Sequence, residues 1–112
     1  MVRRLALVAA AVGALALARA ALAQELVSFP TEDGGVVSAD LYGAGERGVV
    51  LAHGGRFDKG SWAKEAKALA AAGFRVLAID FRGYGASRAG TATTRDDDGF
   101  RFDVRAAVRY LR

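Results

Sequence analysis

The run Gly48-Val49-Val50-Leu51-Ala52-His53-Gly54-Gly55 decides the fold. Its first five residues are apolar or bare with no polar alternation, the pattern of a strand buried on both faces of a parallel sheet. The run breaks off at His53-Gly54-Gly55, where a strand hands over to a loop. Val76-Leu77-Ala78-Ile79, inside residues 74–81, repeats the same buried pattern. Between the two, residues 61–72 place Trp62, Ala66, Leu69 and Ala70 at helical spacing with Lys64, Glu65 and Lys67 off that face, and Gly73 follows as a C-terminal cap. Strand, helix, strand predicts a right-handed parallel crossover and hence the α/β class.

Outward from this unit, residues 25–29 and 36–42 read as strands around Thr31-Glu32-Asp33-Gly34-Gly35, whose Asp-Gly-Gly core is a turn signal. An antiparallel hairpin is expected there, followed by a short polar connection over residues 44–48. Downstream, Arg82-Gly83-Tyr84-Gly85-Ala86-Ser87 leads into a Gly/Thr-rich loop reaching Asp98. Residues 102–111 then set Phe102, Ala106, Val108 and Leu111 on one face of an amphipathic helix. That helix reaches Arg112 with no cap and no following strand, whereas a crossover helix leads back into its sheet. The expectation is a chain cut in mid-unit.

Residues 1–23 read as an export signal: Arg3 and Arg4, an apolar run over residues 5–18, and Ala21-Leu22-Ala23 as the cleavage pattern, with cleavage before Gln24. The fourteen apolar residues fall short of the ~20 that span a bilayer as a helix. Export is therefore expected to the periplasm or the exterior, by the general or the twin-arginine route, with no stable membrane anchor after cleavage. Without residues 1–23 the charge is thirteen basic against twelve acidic side chains, +1, and no concentrated basic stripe stands out, so no nucleic-acid partner is expected. With no cysteine there is no disulfide framework or thiolate metal site, and folding rests on an apolar core. Residues 24–112 suffice for one small domain.

The hairpin, the buried strand into His53-Gly54-Gly55, the helix, and the strand into Asp80-Phe81-Arg82-Gly83-Tyr84-Gly85-Ala86-Ser87 together resemble the N-terminal part of the α/β-hydrolase family. The resemblance covers most of residues 25–112. It implies a three-layer sheet, incomplete here, in which the loop after the first buried strand gives a backbone N–H to an oxyanion hole. Carried over, the amides of Gly55 and Arg56 are the donors. His53, Gly54, Asp80, Gly83, Gly85 and Ser87 are loop-structural, because the family's catalytic histidine follows its serine and acid in chain order. Bare Gly54 and Gly55 are expected to adopt dihedrals that aim amides into a pocket and admit a carbonyl closely. The resemblance further implies a whole protein that hydrolyses esters, amides or similar bonds of a small molecule through an acyl-enzyme formed on a serine, or on an acid or cysteine as in some relatives, without a cofactor.

The family's Gly-x-Ser-x-Gly elbow is absent: Ser87 has Gly85 two before it but Ala89 two after. The chain is therefore expected to lack nucleophile, acid and catalytic histidine, to be inactive alone, and to leave one edge of the first buried strand unpaired and prone to mispairing. A makeshift triad of His53, Asp80 and Ser87 is conceivable, although hydrogen bonding to loop backbone suits Asp80 and Ser87 better. A phosphate-binding reading of residues 55–61 fails where Ser61 stands in place of lysine, and Gly83-x-Gly85 lacks a third glycine for dinucleotide binding. Asp96-Asp97-Asp98 is read as capping the last helix in preference to a cation site, and Trp62 as helix-face packing in preference to a substrate platform. Two other classes remain open at this point: a small exported binding module without enzymatic activity, and a nucleotide-binding α/β domain.

Overall fold

The computed structural model describes residues 24–93 and 98–112. The export signal expected over residues 1–23 lies outside them, as do Asp96 and Asp97. Strands β1 (Gln24–Pro30) and β2 (Val36–Tyr42) form an antiparallel hairpin with Ser28 opposite Ser38. Strand β4 (Phe74–Ile79) pairs antiparallel with β2 on one side and parallel with β3 (Arg47–Ala52) on the other, Leu77 lying opposite Val50. The spatial order is β1-β2-β4-β3. Helix α1 (Ala63–Ala71) makes the crossover from β3 to β4, and α2 (Gly99–Leu111) follows β4.

Successive β4 side chains point to opposite faces, and each face meets a helix. Leu77 and Ile79 pack with Phe29, Val37 and Ala39 against Ala106 and Ala107 of α2. Val76 and Ala78 pack with Tyr42 against Ala66 and Ala70 of α1. Val37, Val76, Leu77 and Ile79 are fully buried, each stabilising the fold by about 1.5–3 kcal/mol relative to exposure. Alanine at the four fully buried apolar helix positions lets each helix lie close to the sheet. The result is the expected α/β architecture of three layers, a hairpin plus strand-helix-strand-helix.

Three expectations about individual elements change. Burial on both faces holds for β4 but not for β3, whose Val49, Val50 and Leu51 are only half-buried. The cause is position: among the described residues β3 pairs with β4 alone and forms the edge of the sheet. The helix expected over residues 61–72 opens as a 3-10 turn, Lys59–Trp62, capped by Asp58. The Asp58 carboxylate accepts the Gly60 N–H at 2.9 Å while Ser61 Oγ accepts the Asp58 N–H at 3.2 Å, a reciprocal cap. Gly73, at φ +98°, ends the helix as expected, donating to Ala70 O at 3.0 Å.

The last helix starts at Gly99, ahead of the expected residue 102. Asp98 stands at its N-cap position but makes no capping hydrogen bond. Its backbone is left-handed, φ 59° and ψ 18°, instead of the extended conformation a capping side chain requires. Its carboxylate lies 3.8 Å from Arg101 instead. No helix among the described residues is long and apolar enough to cross a membrane.

Candidate active site

The loop leaving β3 is held by its carbonyls. His53 Nε2 accepts the Phe81 N–H at 3.2 Å, which leaves the ring proton on Nδ1, where it is donated to Gly54 O at 2.8 Å. The ring is fully buried and sits edge-on to Phe81 and Tyr84. Gly54 O also accepts the Phe57 N–H at 3.0 Å, and Gly55 O accepts the Tyr84 hydroxyl at 2.8 Å. A peptide unit is rigid and trans, so pinning the C=O of one residue aims the N–H of the next the opposite way. The Gly54 carbonyl thereby orients the Gly55 amide, and the Gly55 carbonyl orients the Arg56 amide. The N–H groups of Gly54, Gly55 and Arg56 donate to no described residue, leaving three successive donors unpaired on an exposed loop.

The glycines contribute something other than unusual dihedrals. Neither Gly54 nor Gly55 has a positive φ. A Cβ at Gly54 would stand 3.5 Å from the Phe57 ring and one at Gly55 3.8 Å from the Tyr84 hydroxyl, both ordinary contacts. The fold would tolerate alanine at either position; glycine keeps side-chain atoms away from the unpaired amides.

Around the next loop, Asp80 Oδ1 accepts the Lys59 N–H at 2.7 Å, tying the end of β4 to the start of the 3-10 turn. Gly85, at φ +52°, comes so near that a Cβ there would lie 2.3 Å from Asp80 Oδ2. Gly83 also takes a positive φ, +84°, with open space around it. Ser87 is buried, its Oγ accepting the Ser38 N–H at 2.8 Å and donating to Asp80 O at 2.7 Å. His53, Asp80 and Ser87 thus converge without forming a triad. The His53 ring nitrogens are committed to backbone, its Nε2 is 3.9 Å from Asp80, and the Ser87 hydroxyl is used between β2 and β4.

Two ionic clusters support these loops, and neither stood out in the sequence. Arg82 is buried with its guanidinium fully enclosed. It bonds Asp103 of α2 at 2.8 Å, Asp33 of the hairpin turn at 2.8 Å, and the carbonyl of Ala92. Hydrogen bonds from Arg82 hold the Asp33 carboxyl well below the usual carboxylate range against the opposing effect of burial, and Thr31 and the Ala92 amide add to it. Lys59 Nζ meets Asp40 of β2 at 2.8 Å. Burial pulls the Lys59 amine down, but Asp40, and then Asp80, outweigh it, so the net shift is upward. Tyr42, beside this pair, is pushed up by burial and then by Asp40, and its hydroxyl is buried without a partner among the described residues. Asp103 had one legible signal: it falls in the helical row of Ala106 and Ala107, a charge on an apolar face.

Between the loop and α1 lies a cleft of about 370 Å³ lined by His53, Gly54, Phe57, Ser61, Trp62 and Glu65. Trp62 packs on the Tyr42-Val76-Ala78 core as expected, yet it also forms part of the cleft wall, with its indole N–H buried and without a partner among the described residues.

The family model described as the alpha/beta hydrolase fold matches residues 48–112, more than half of the chain. The chain belongs to the alpha/beta-hydrolase family. Solved hydrolases superpose on it. An epoxide hydrolase from an endophytic Streptomyces is 33% identical, with a TM-score of 0.68 over 79% of this chain and 26% of its own. A Pyrococcus furiosus esterase is 28% identical with a TM-score of 0.68, over 80% of this chain and 36% of its own. An esterase from Exiguobacterium antarcticum is 26% identical with a TM-score of 0.65, over 76% and 31%. The chain spans about a quarter to a third of the length of these hydrolases. Family membership places the chain among alpha/beta-hydrolase folds and not among nucleotide-binding α/β domains. The chemistry available within this stretch is the placement of hydrogen-bond donors beside a cleft.

Proposed function

We propose that the loop of residues 53–57 holds the substrate oxygen in a hydrolase that cleaves an ester, an amide or a related bond, with the Gly55 and Arg56 amides as donors. The row of unpaired amides, aimed by carbonyls that are themselves pinned, carries this reading. Donors fixed before reaction stabilise negative charge on oxygen without reorganising, and the loss of one such donor in a serine hydrolase costs about 2.7–4 kcal/mol of transition-state stabilisation. In the whole protein the attacking group is a serine that forms an acyl-enzyme, as the family resemblance implies, and the 112 residues on their own turn over no ester. His53, Gly54, Asp80, Gly83, Gly85 and Ser87 serve the loops and not the chemistry. Residues 1–23 direct export to the periplasm or the exterior.

The test uses the purified chain. Titration with ethyl acetate should shift the Gly55 and Arg56 amide signals saturably in a nitrogen-proton correlation spectrum, while p-nitrophenyl butyrate is hydrolysed no faster than in buffer. Unmoved amides would sink the donor assignment. Saturable ester cleavage lost in Ser87→Ala would sink both the claim of inactivity and the structural role of Ser87.

A further inference from the structure

The sheet ends on β1, at the opposite side from β3, and β1 does little to guard that edge. It carries no lysine or arginine, no bulge breaks its register, its proline comes only at the last position, and Leu26 stands 69% exposed on it. Main-chain bonding shows which of its groups are free. Ser38 donates its N–H to Ser87 Oγ and accepts the Asp80 N–H, so both its main-chain groups point away from β1. Residues opposite one another in an antiparallel pair exchange both bonds or neither. Ser28, opposite Ser38, therefore turns its N–H and C=O outward. By alternation so do Gln24 and Leu26, while Pro30 offers its carbonyl.

Charge beside this edge is unbalanced. Glu32 Oε1 lies 3.4 Å from Arg105 and 3.0 Å from Arg109, so one carboxylate serves two guanidiniums. Glu25, exposed on β1, takes part in no ion pair among the described residues. It shares the α2 face of the sheet with Val27 and Phe29. The Phe29 ring stacks on Tyr110 at 4.8 Å, and both line a hollow of about 240 Å³ together with Arg109.

We propose that β1 pairs antiparallel with β1 of a second copy of this chain, about a two-fold axis between the two Val27 residues, so that two sheets become one. This register uses the whole strand from Gln24 to Pro30. Leu26 lies opposite Ser28 of the other copy, and their outward N–H and C=O groups exchange hydrogen bonds; the Gln24 N–H meets the Pro30 carbonyl. The Val27 pair approaches to about 4.5 Å between Cα atoms on the α2 face. On the other face the two Leu26 side chains become diagonal neighbours and leave water. Glu25 comes opposite Phe29 of the other copy, beside the hollow where Arg109 shares its carboxylate. Every contact occurs twice, so the assembly closes at two copies.

Sedimentation equilibrium of the full 112-residue chain tests the pairing. The expected result is a reversible equilibrium between one copy and two, with nothing larger. Ser28→Pro removes an outward N–H that the chain itself leaves unused and that an edge strand can lose. It should weaken the dimer roughly tenfold with the circular dichroism spectrum unchanged. Glu25→Arg and Arg109→Glu should each weaken it roughly fivefold. An equimolar mixture of those two variants should recover the affinity, because the mixed dimer holds an opposite-charge pair at both ends. A chain that stays single at every concentration overturns the proposal. So does association that Ser28→Pro leaves intact, which would assign it to residues 1–23 or to the open edge of β3. A mixture that binds no better than either variant alone overturns it as well.

Discussion

The Tyr84 hydroxyl donates a 2.8 Å hydrogen bond to the carbonyl of Gly55, joining residues 29 apart in sequence. Because the peptide plane is rigid, this one bond sets the direction of the Arg56 amide. Tyr84→Phe should cost no more than about 1 kcal/mol of stability, the net worth of one hydrogen bond at an exposed site. It should nevertheless weaken the response of the Arg56 amide to ethyl acetate severalfold. Urea unfolding and amide spectra on the same variant check both halves.

Gly85 and Gly83 form a paired test of close approach. Gly83→Ala meets only the backbone penalty of a left-handed residue, about 1–2 kcal/mol. Gly85→Ala meets the same penalty and also drives a Cβ into Asp80 Oδ2, displacing the acceptor of the Lys59 amide. The second variant should be less stable than the first by more than about 1 kcal/mol, the cost of losing a buried acceptor's bond. Equal unfolding midpoints would remove Asp80 from its anchoring role.

Ser87→Ala strips the Ser38 amide of its acceptor inside the sheet. The expected loss is about 1–3 kcal/mol in stability, the cost of an orphaned buried donor. Thermal or urea unfolding measures it. The shift of the Gly55 and Arg56 amides with ethyl acetate should be unaffected, since Ser87 touches neither.

Asp33 makes stability depend on acid. Its folded pKa lies below the unfolded value of about 3.9, so the native state binds fewer protons there than the unfolded chain. Stability from Asp33 is then fully present above about pH 5 and is lost as pH falls through about 4 and onward toward the folded value. Urea midpoints at pH 7, 4 and 3 should fall in that order. In Asp33→Asn the midpoint should be lower at pH 7 and should decline less steeply over the same range. A parallel decline in both proteins would assign the acid sensitivity elsewhere.

How far the sequence carried the fold follows from which signals were local. Val76-Leu77-Ala78-Ile79 and the Asp33-Gly34-Gly35 turn speak through neighbours, and strand, hairpin and crossover were readable from them. The open edge of β3 was legible only through the family resemblance, because an apolar pentapeptide does not itself say how many strands flank it. The capping box of Asp58 and Ser61 was local too, but it sits before a 3-10 turn and not before the helical periodicity that drew attention. In the site, the His53-Gly54-Gly55 and Asp80-to-Ser87 loops were legible as motifs. The Arg82-Asp33-Asp103 cluster was not, because its partners are 49 and 21 residues from Arg82 and only tertiary structure brings them together. Of the two reasons expected for glycine at positions 54 and 55, close approach keeps its place and special dihedrals do not, because neither residue has a positive φ.

The Arg82 cluster also fixes an order of events. The five N–H donors of the enclosed guanidinium all find acceptors only when Asp33, Asp103 and the Ala92 carbonyl are in place, and a buried donor left unpaired is unfavourable. One carboxylate arrives with the hairpin turn and the other with α2, so the chain must close two loops before the cluster gains anything. Its contribution is therefore expected late, after the barrier to folding. Arg82→Met should leave the refolding rate almost unchanged and hasten unfolding, which makes this buried cation a brake on the native state's departure and not a guide to its formation.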